Sequence, residues 1–131
     1  MRISIENGKL CDPSKKLDSK QDLFIADGKI VAFKKKPEGF KSDIKIDAKD
    51  KIIIPGLVDL CARLREPGFE KKGTFKSELN AANSNGITSI CMPPDTAPIV
   101  DTPAVVEFIH QRARETNRAN IYPLGALTQE L

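Results

Sequence analysis

The chain contains no tryptophan, a single tyrosine, a single histidine and only three cysteines among its 131 residues. Each shortage closes a class of function. Without aromatic side chains interleaved among the lysines there is no stacking platform for single-stranded nucleic acid. Cys11, Cys61 and Cys91 are odd in number, widely spaced and set among apolar neighbours. That pattern fits reduced thiols in a cytosolic protein better than a disulfide framework. No apolar run approaches the ~20 residues that span a bilayer. The opening residues, Arg2 to Glu6, read as a strand and not as a basic head followed by an apolar core. Neither secretion nor membrane insertion is expected, and the expected location is the cytoplasm.

What is present is a balanced charge and the apolar content of one modest domain. Lys and Arg number 21 against 18 Asp and Glu, a formal charge of +3. The lysines fall in short, scattered groups (Lys15-Lys16, Lys34-Lys35-Lys36, Lys71-Lys72) that read as solvated surface, so no nucleic-acid partner is expected.

Two patterns follow one another. Residues 1–54 read as a small antiparallel β module. Arg2-Ile3-Ser4-Ile5-Glu6 alternates, Asn7-Gly8 is a two-residue hairpin signal, and Asp22–Ala26 meets Lys29–Phe33 across Asp27-Gly28. Lys34–Lys41 has no periodicity, after which Asp43–Asp47 and Lys51–Ile54 return to extended structure. Pro55-Gly56 marks a boundary, and residues 55–131 alternate strands with helices. Leu57–Leu60 is a strand, and Thr74–Asn85 carries Phe75, Leu79 and Ala82 at helical spacing and stops at Gly86. Ile87–Met92 is a buried strand. Thr102 suits an N-cap and Pro103 the first helical position of a helix reaching Glu115, with Val105, Val106, Ile109 and Ala113 as its apolar stripe. Asn120–Leu124 is the last strand. The β-α-β-α-β order predicts an α/β fold with a parallel sheet, the start of a barrel whose full form takes about 250 residues. An incomplete barrel leaves a bare edge, so a fragment, a truncated product or an obligate homo- or hetero-oligomer is expected.

The segment richest in chemistry is Asp59-Leu60-Cys61-Ala62-Arg63-Leu64-Arg65-Glu66-Pro67-Gly68. In a strand, residues two apart share a side, so a His-x-His pair at this place aims two imidazoles at one metal. Cys61 and Arg63 occupy those positions. A thiolate ligates zinc, but a guanidinium is permanently charged and has no lone pair to donate. Asp59 would share the face of Cys61 and Arg63 and is placed for a salt bridge with Arg63. Cys61, with no general base near it in sequence, reads as a buried small hydrophobe. His110 falls within the second predicted helix, as a partly exposed helix residue.

Taken in order, Pro55-Gly56-Leu57-Val58-Asp59, Leu64-Arg65-Glu66-Pro67-Gly68, Gly86-Ile87-Thr88-Ser89, Cys91-Met92-Pro93-Pro94-Asp95-Thr96 and Gly125-Ala126-Leu127-Thr128 resemble the dihydroorotases of the amidohydrolase superfamily. The likeness covers almost the whole chain but only the first part of a family member. It implies a β module, a partial β-sandwich, followed by the first βα units of an amidohydrolase TIM barrel. It also implies that Cys61 and Arg63 stand at degenerate metal positions, while further ligands and the catalytic aspartate lie beyond residue 131. Arg65 matches the arginine that pairs with a substrate carboxylate, and Asp95 stands where the family has an assisting asparagine. A carboxylate there repels an anionic substrate, so Arg65 and Asp95 are a vestigial binding pair, with Asp95 expected to pair with Arg63 or Arg65. No catalytic residue, metal or other cofactor is expected within the chain.

The resemblance points to a catalytically inactive dihydroorotase-like protein, a structural or assembly partner of the aspartate transcarbamoylase catalytic subunit in pyrimidine biosynthesis. One alternative is a metal-dependent cyclic amidohydrolase, of dihydroorotase or hydantoinase type, holding zinc in an altered site. Another is a small-molecule module that uses Arg65 to hold a carboxylate.

Overall fold

The computed structural model describes residues 1–127, and the chain divides into two compact units, Met1–Pro55 and Gly56–Leu131. Thr128, the last residue of the Gly125–Thr128 motif, lies outside the described residues.

The first unit holds seven strands: β1 (Arg2–Glu6), β2 (Lys9–Asp12), β3 (Leu17–Lys20), β4 (Leu23–Ala26), β5 (Lys29–Phe33), β6 (Ile44–Asp47) and β7 (Ile52–Ile53). They form two sheets, ordered β5-β4-β1-β6 and β3-β2-β7. The β4–β5 hairpin turns at Asp27 and Gly28, both at positive φ (50° and 74°). A two-residue turn needs that geometry if its twist is to match the strands. The hairpins β2–β3 and β4–β5 and the pair β1–β4 are antiparallel, and two parallel pairings, β1 with β6 and β2 with β7, complete the sheets.

Asn7-Gly8 bends the chain without making a hairpin. Both flanks of β1 are taken, by β4 and β6, and β2 belongs to the other sheet. Asn7, at φ 67°, donates its backbone N–H to Asp22 and its side-chain amide to Asp47, each at 2.9 Å. These two carboxylates hold the corner at which the chain leaves one sheet for the other. Within this unit Phe24 is buried edge-on against Phe40, with ring centroids 5.5 Å apart. Ser4 is fully buried, donating to Glu6 and accepting from the Ser42 hydroxyl.

The second unit is β8 (Leu57–Asp59), α1 (Phe75–Ser84), β9 (Ile87–Met92), α2 (Pro103–Thr116) and β10 (Asn120–Pro123). Its sheet is parallel throughout, with β9 between β8 and β10. The start of α1 is a capping box: Thr74 Oγ1 accepts the Ser77 N–H, and Ser77 Oγ accepts the Thr74 N–H. At the other end Gly86, at φ 82°, lets the chain leave the helix. Thr102 occupies the N-cap of α2 in extended backbone, but its hydroxyl makes no capping hydrogen bond. Pro103, the first helical residue, has no N–H to leave unpaired, and the Thr102 carbonyl accepts from Val106.

Phe75 and Leu79 of α1, Ile109 and Ala113 of α2, and Ile90, Met92 and Ile121 of the sheet form one core, with Val105 and Val106 packed against it. The central strand is the buried one. On the two edge strands, Leu57, Val58 and Tyr122 are about half exposed. No helix among the described residues is long and apolar enough to cross a membrane.

Candidate functional site

The site is the loop that follows β8. The strand ends at Asp59, whose carboxylate turns back to accept the Cys61 N–H at 2.9 Å. The two-residue alternation stops there, so Asp59 does not pair with Arg63 and instead holds the turn. The same turn carries Cys61 to the surface, correcting the expectation that its thiol is buried. All three cysteines are free. Ala62 then donates to the Cys91 carbonyl at 3.1 Å, which keeps the loop against the end of β9, and Leu64 drops into the core.

Arg63 reaches across to the loop after β9. Its Nε donates to Asp95 Oδ2 at 2.6 Å, with both side chains about half exposed. The hydrogen bond and negative charge of Asp95 hold the guanidinium above its ordinary pKa range. Arg65 is half-buried, its backbone at φ 69°, and its carbonyl accepts from Phe69 at 2.8 Å. Its side chain makes no hydrogen bond or ion pair with the other described residues. The loop therefore brings Arg63 to Asp95 and leaves Arg65 unpaired among those residues.

Glu66, which residue patterning did not single out, is the anchor of this loop. Its carboxylate is buried, accepting the N–H of Phe75 at the start of α1 at 2.8 Å and Arg112 Nε from α2 at 3.0 Å. Arg112 also holds Glu115, and the two carboxylates, Glu66 foremost, raise its pKa. A carboxylate at a helix N-terminus answers both the unpaired amides and the dipole. Gly68, at φ 96°, lies so close to the Ala97 backbone that a side chain would collide with it, and Ala97 N–H donates to Pro67. The one signal in the sequence was a charged residue between Leu64 and Pro67, which does not by itself foretell burial.

A zinc ion does not fit this donor set. Cys61 is the only thiol or imidazole on the loop, Arg63 repels a cation, and Asp95 is engaged by Arg63. Among the described residues no three His, Cys, Asp or Glu side chains converge as a metal site would require. His110 lies on α2, lining a groove with Asn117 and Tyr122.

Residues 50–130 match the family model described as dihydro-orotase-like. The chain belongs to the dihydroorotase-like family. A dihydroorotase-like protein of Pseudomonas aeruginosa is 49% identical over 129 residues, covering 98% of this chain and 30% of that protein. A dihydroorotase-like protein of Pseudomonas putida is 46% identical over 131 residues, covering all of this chain and 31% of that protein. This dihydroorotase-like chain thus spans about 30% of the length of the curated relatives it matches. Among solved structures, L-hydantoinase (dihydropyrimidinase) from Arthrobacter aurescens superposes with a TM-score of 0.83 at 22% identity, over 94% of this chain and 27% of that one. That likeness concerns the fold: an α/β protein in which a β module precedes the opening βα units of an amidohydrolase barrel.

Proposed function

We propose that this chain builds part of a catalytically inactive dihydroorotase-like protein, a cytoplasmic assembly partner of aspartate transcarbamoylase in pyrimidine biosynthesis. The observation that supports the reading is the Arg63–Asp95 ion pair. A guanidinium stands where the resemblance expects a metal-binding imidazole, and its partner is the carboxylate that replaces a substrate-assisting amide. Arg65 and Asp95 are then relics of a binding pair, and the fold is retained for the surfaces it presents.

The test mixes the full-length polypeptide with aspartate transcarbamoylase from the same source, with light scattering and transcarbamoylase activity read on the same fractions. A stable mixed peak with raised or restored activity is the expected result. Two separate peaks with unchanged activity would sink the reading.

The exposed thiol of Cys61 favours one second reading, a cyclic-amide hydrolase that completes a zinc site around Cys61 with ligands outside the described residues. Stoichiometric zinc in the full-length polypeptide, lost together with hydantoin or dihydroorotate hydrolysis on Cys61→Ser, would establish it.

A further inference from the structure

Helices α1 and α2 enclose a groove of about 310 Å³. Its floor includes Phe75, and its walls carry Lys76, Asn80, Arg112, Glu115 and Arg118. Three cations thus face one exposed carboxylate. That carboxylate, Glu115, is bonded to Arg112, and Arg112's other partner, Glu66, is buried beneath the helices. Arg112 is therefore electrically answered, while Lys76 and Arg118 are not. Arg118 Nε donates to the neutral Asn80 side chain at 3.0 Å, which orients the guanidinium without cancelling its charge.

Lys76 is the second residue of α1, at a helix start whose amides are already answered by Glu66 and by the Thr74–Ser77 capping box. It is exposed and makes no ion pair with the other described residues. Two exposed cations without an ion-pair partner among the described residues, Lys76 and Arg118, lining one groove, are what an acidic partner segment would require.

We infer that the α1–α2 groove docks an acidic segment of a partner protein, with carboxylates of that segment meeting Lys76 and Arg118. The inference rests on the assembly reading above and names the surface that carries it. Opposite charge across an interface raises the rate of encounter and fixes register, and it makes the association sensitive to salt.

The experiment titrates full-length protein into aspartate transcarbamoylase at low and high salt, using wild type, Lys76→Glu, Lys76→Glu with Arg118→Gln, and Lys35→Glu as a control in the first unit. The expected result is that the double variant binds ~10-fold or more weakly and loses most of its salt dependence, while Lys35→Glu binds as wild type does. Lys76→Glu places an acid in the first helical turn, so its Tm is expected at or above that of wild type, which separates lost docking from lost folding. Lys76→Arg keeps the charge and is expected to bind normally. Undiminished binding by the double variant would overturn the groove and leave the assembly reading standing. If wild type itself forms no complex, both are overturned.

Discussion

Arg63 Nε and Asp95 Oδ2 lie 2.6 Å apart and tie the loop after β8 to the loop after β9. The pair joins the ends of two neighbouring parallel strands, the edge of a barrel sheet where active sites of this architecture are built. Replacing Arg63 by His, together with Asp95→Asn, removes the repelling charge and sets an imidazole two residues from the Cys61 thiol. The full-length double variant is expected to retain more zinc than wild type after gel filtration, measured by elemental mass spectrometry. Equal zinc in the two proteins would show that the shape of the loop, and not the guanidinium, is what keeps a metal away.

Glu66 ranks above Arg63 in structural weight because it is buried and holds two helices at once. Glu66→Ala leaves the Phe75 N–H without an acceptor and Arg112 without its inner partner, and is expected to cost ~2 kcal/mol in urea unfolding. Glu66→Gln keeps an oxygen for Phe75 and is expected to cost less. Equal losses for the two variants would mean that the charge, and not the bond to the helix start, carries the effect.

The two helix starts differ in a way that mutation can read. Thr74 and Ser77 cap α1 reciprocally, so Thr74→Ala is expected to lower stability by ~1 kcal/mol. Thr102 makes no such bond, and Thr102→Ala is expected to leave the urea midpoint unchanged. A loss at Thr102 as large as that at Thr74 would contradict the geometry of α2.

Asp47 is expected to contribute to the acid sensitivity of the first unit. Bonds from the Asn7 amide and the Lys49 N–H hold its carboxyl below the ordinary value of 3.8. A group whose folded pKa is depressed adds stability above its unfolded pKa and loses it as pH falls through the folded one. Wild type is therefore expected to lose more of its urea midpoint between pH 5 and pH 3 than Asp47→Asn, whose amide oxygen still accepts both bonds. Identical pH profiles would remove Asp47 from the acid transition.

Periodicity is legible wherever a segment is decided by its own residues. The apolar stripe of α2, the strand Ile87–Met92 and the turn at Asp27-Gly28 all behave so. Caps are less so: Thr102 has the sequence of a cap but makes no capping bond, and the capping box of Thr74 and Ser77 is not singled out by the residue pattern. Choices made by distant partners were not legible. Asn7-Gly8 carries a hairpin signal, yet β1 is flanked by strands beginning at Leu23 and Ile44, which no local pattern announces. At the site, Cys61 and Arg63 could be named as departures from a metal motif, and Asp95 as a partner for one of two arginines. The exposure of Cys61 follows from a single backbone bond to Asp59, and the burial of Glu66 from an arginine 46 residues away. Residue spacing encodes neither.

The parallel partners of β1 and β2 also set a timetable. Ile3 pairs with Ile44 and Lys9 with Ile52, so neither sheet of the first unit can close until the ribosome has released residues some forty positions later. At ~5–20 residues per second that interval lasts seconds, while a hairpin such as β4–β5 forms in microseconds. During synthesis the first strand can join the β4–β5 hairpin through β4, but its other edge, the one that takes β6, stays open. The nascent chain is most vulnerable to wrong pairing in that interval, before the second unit has been translated.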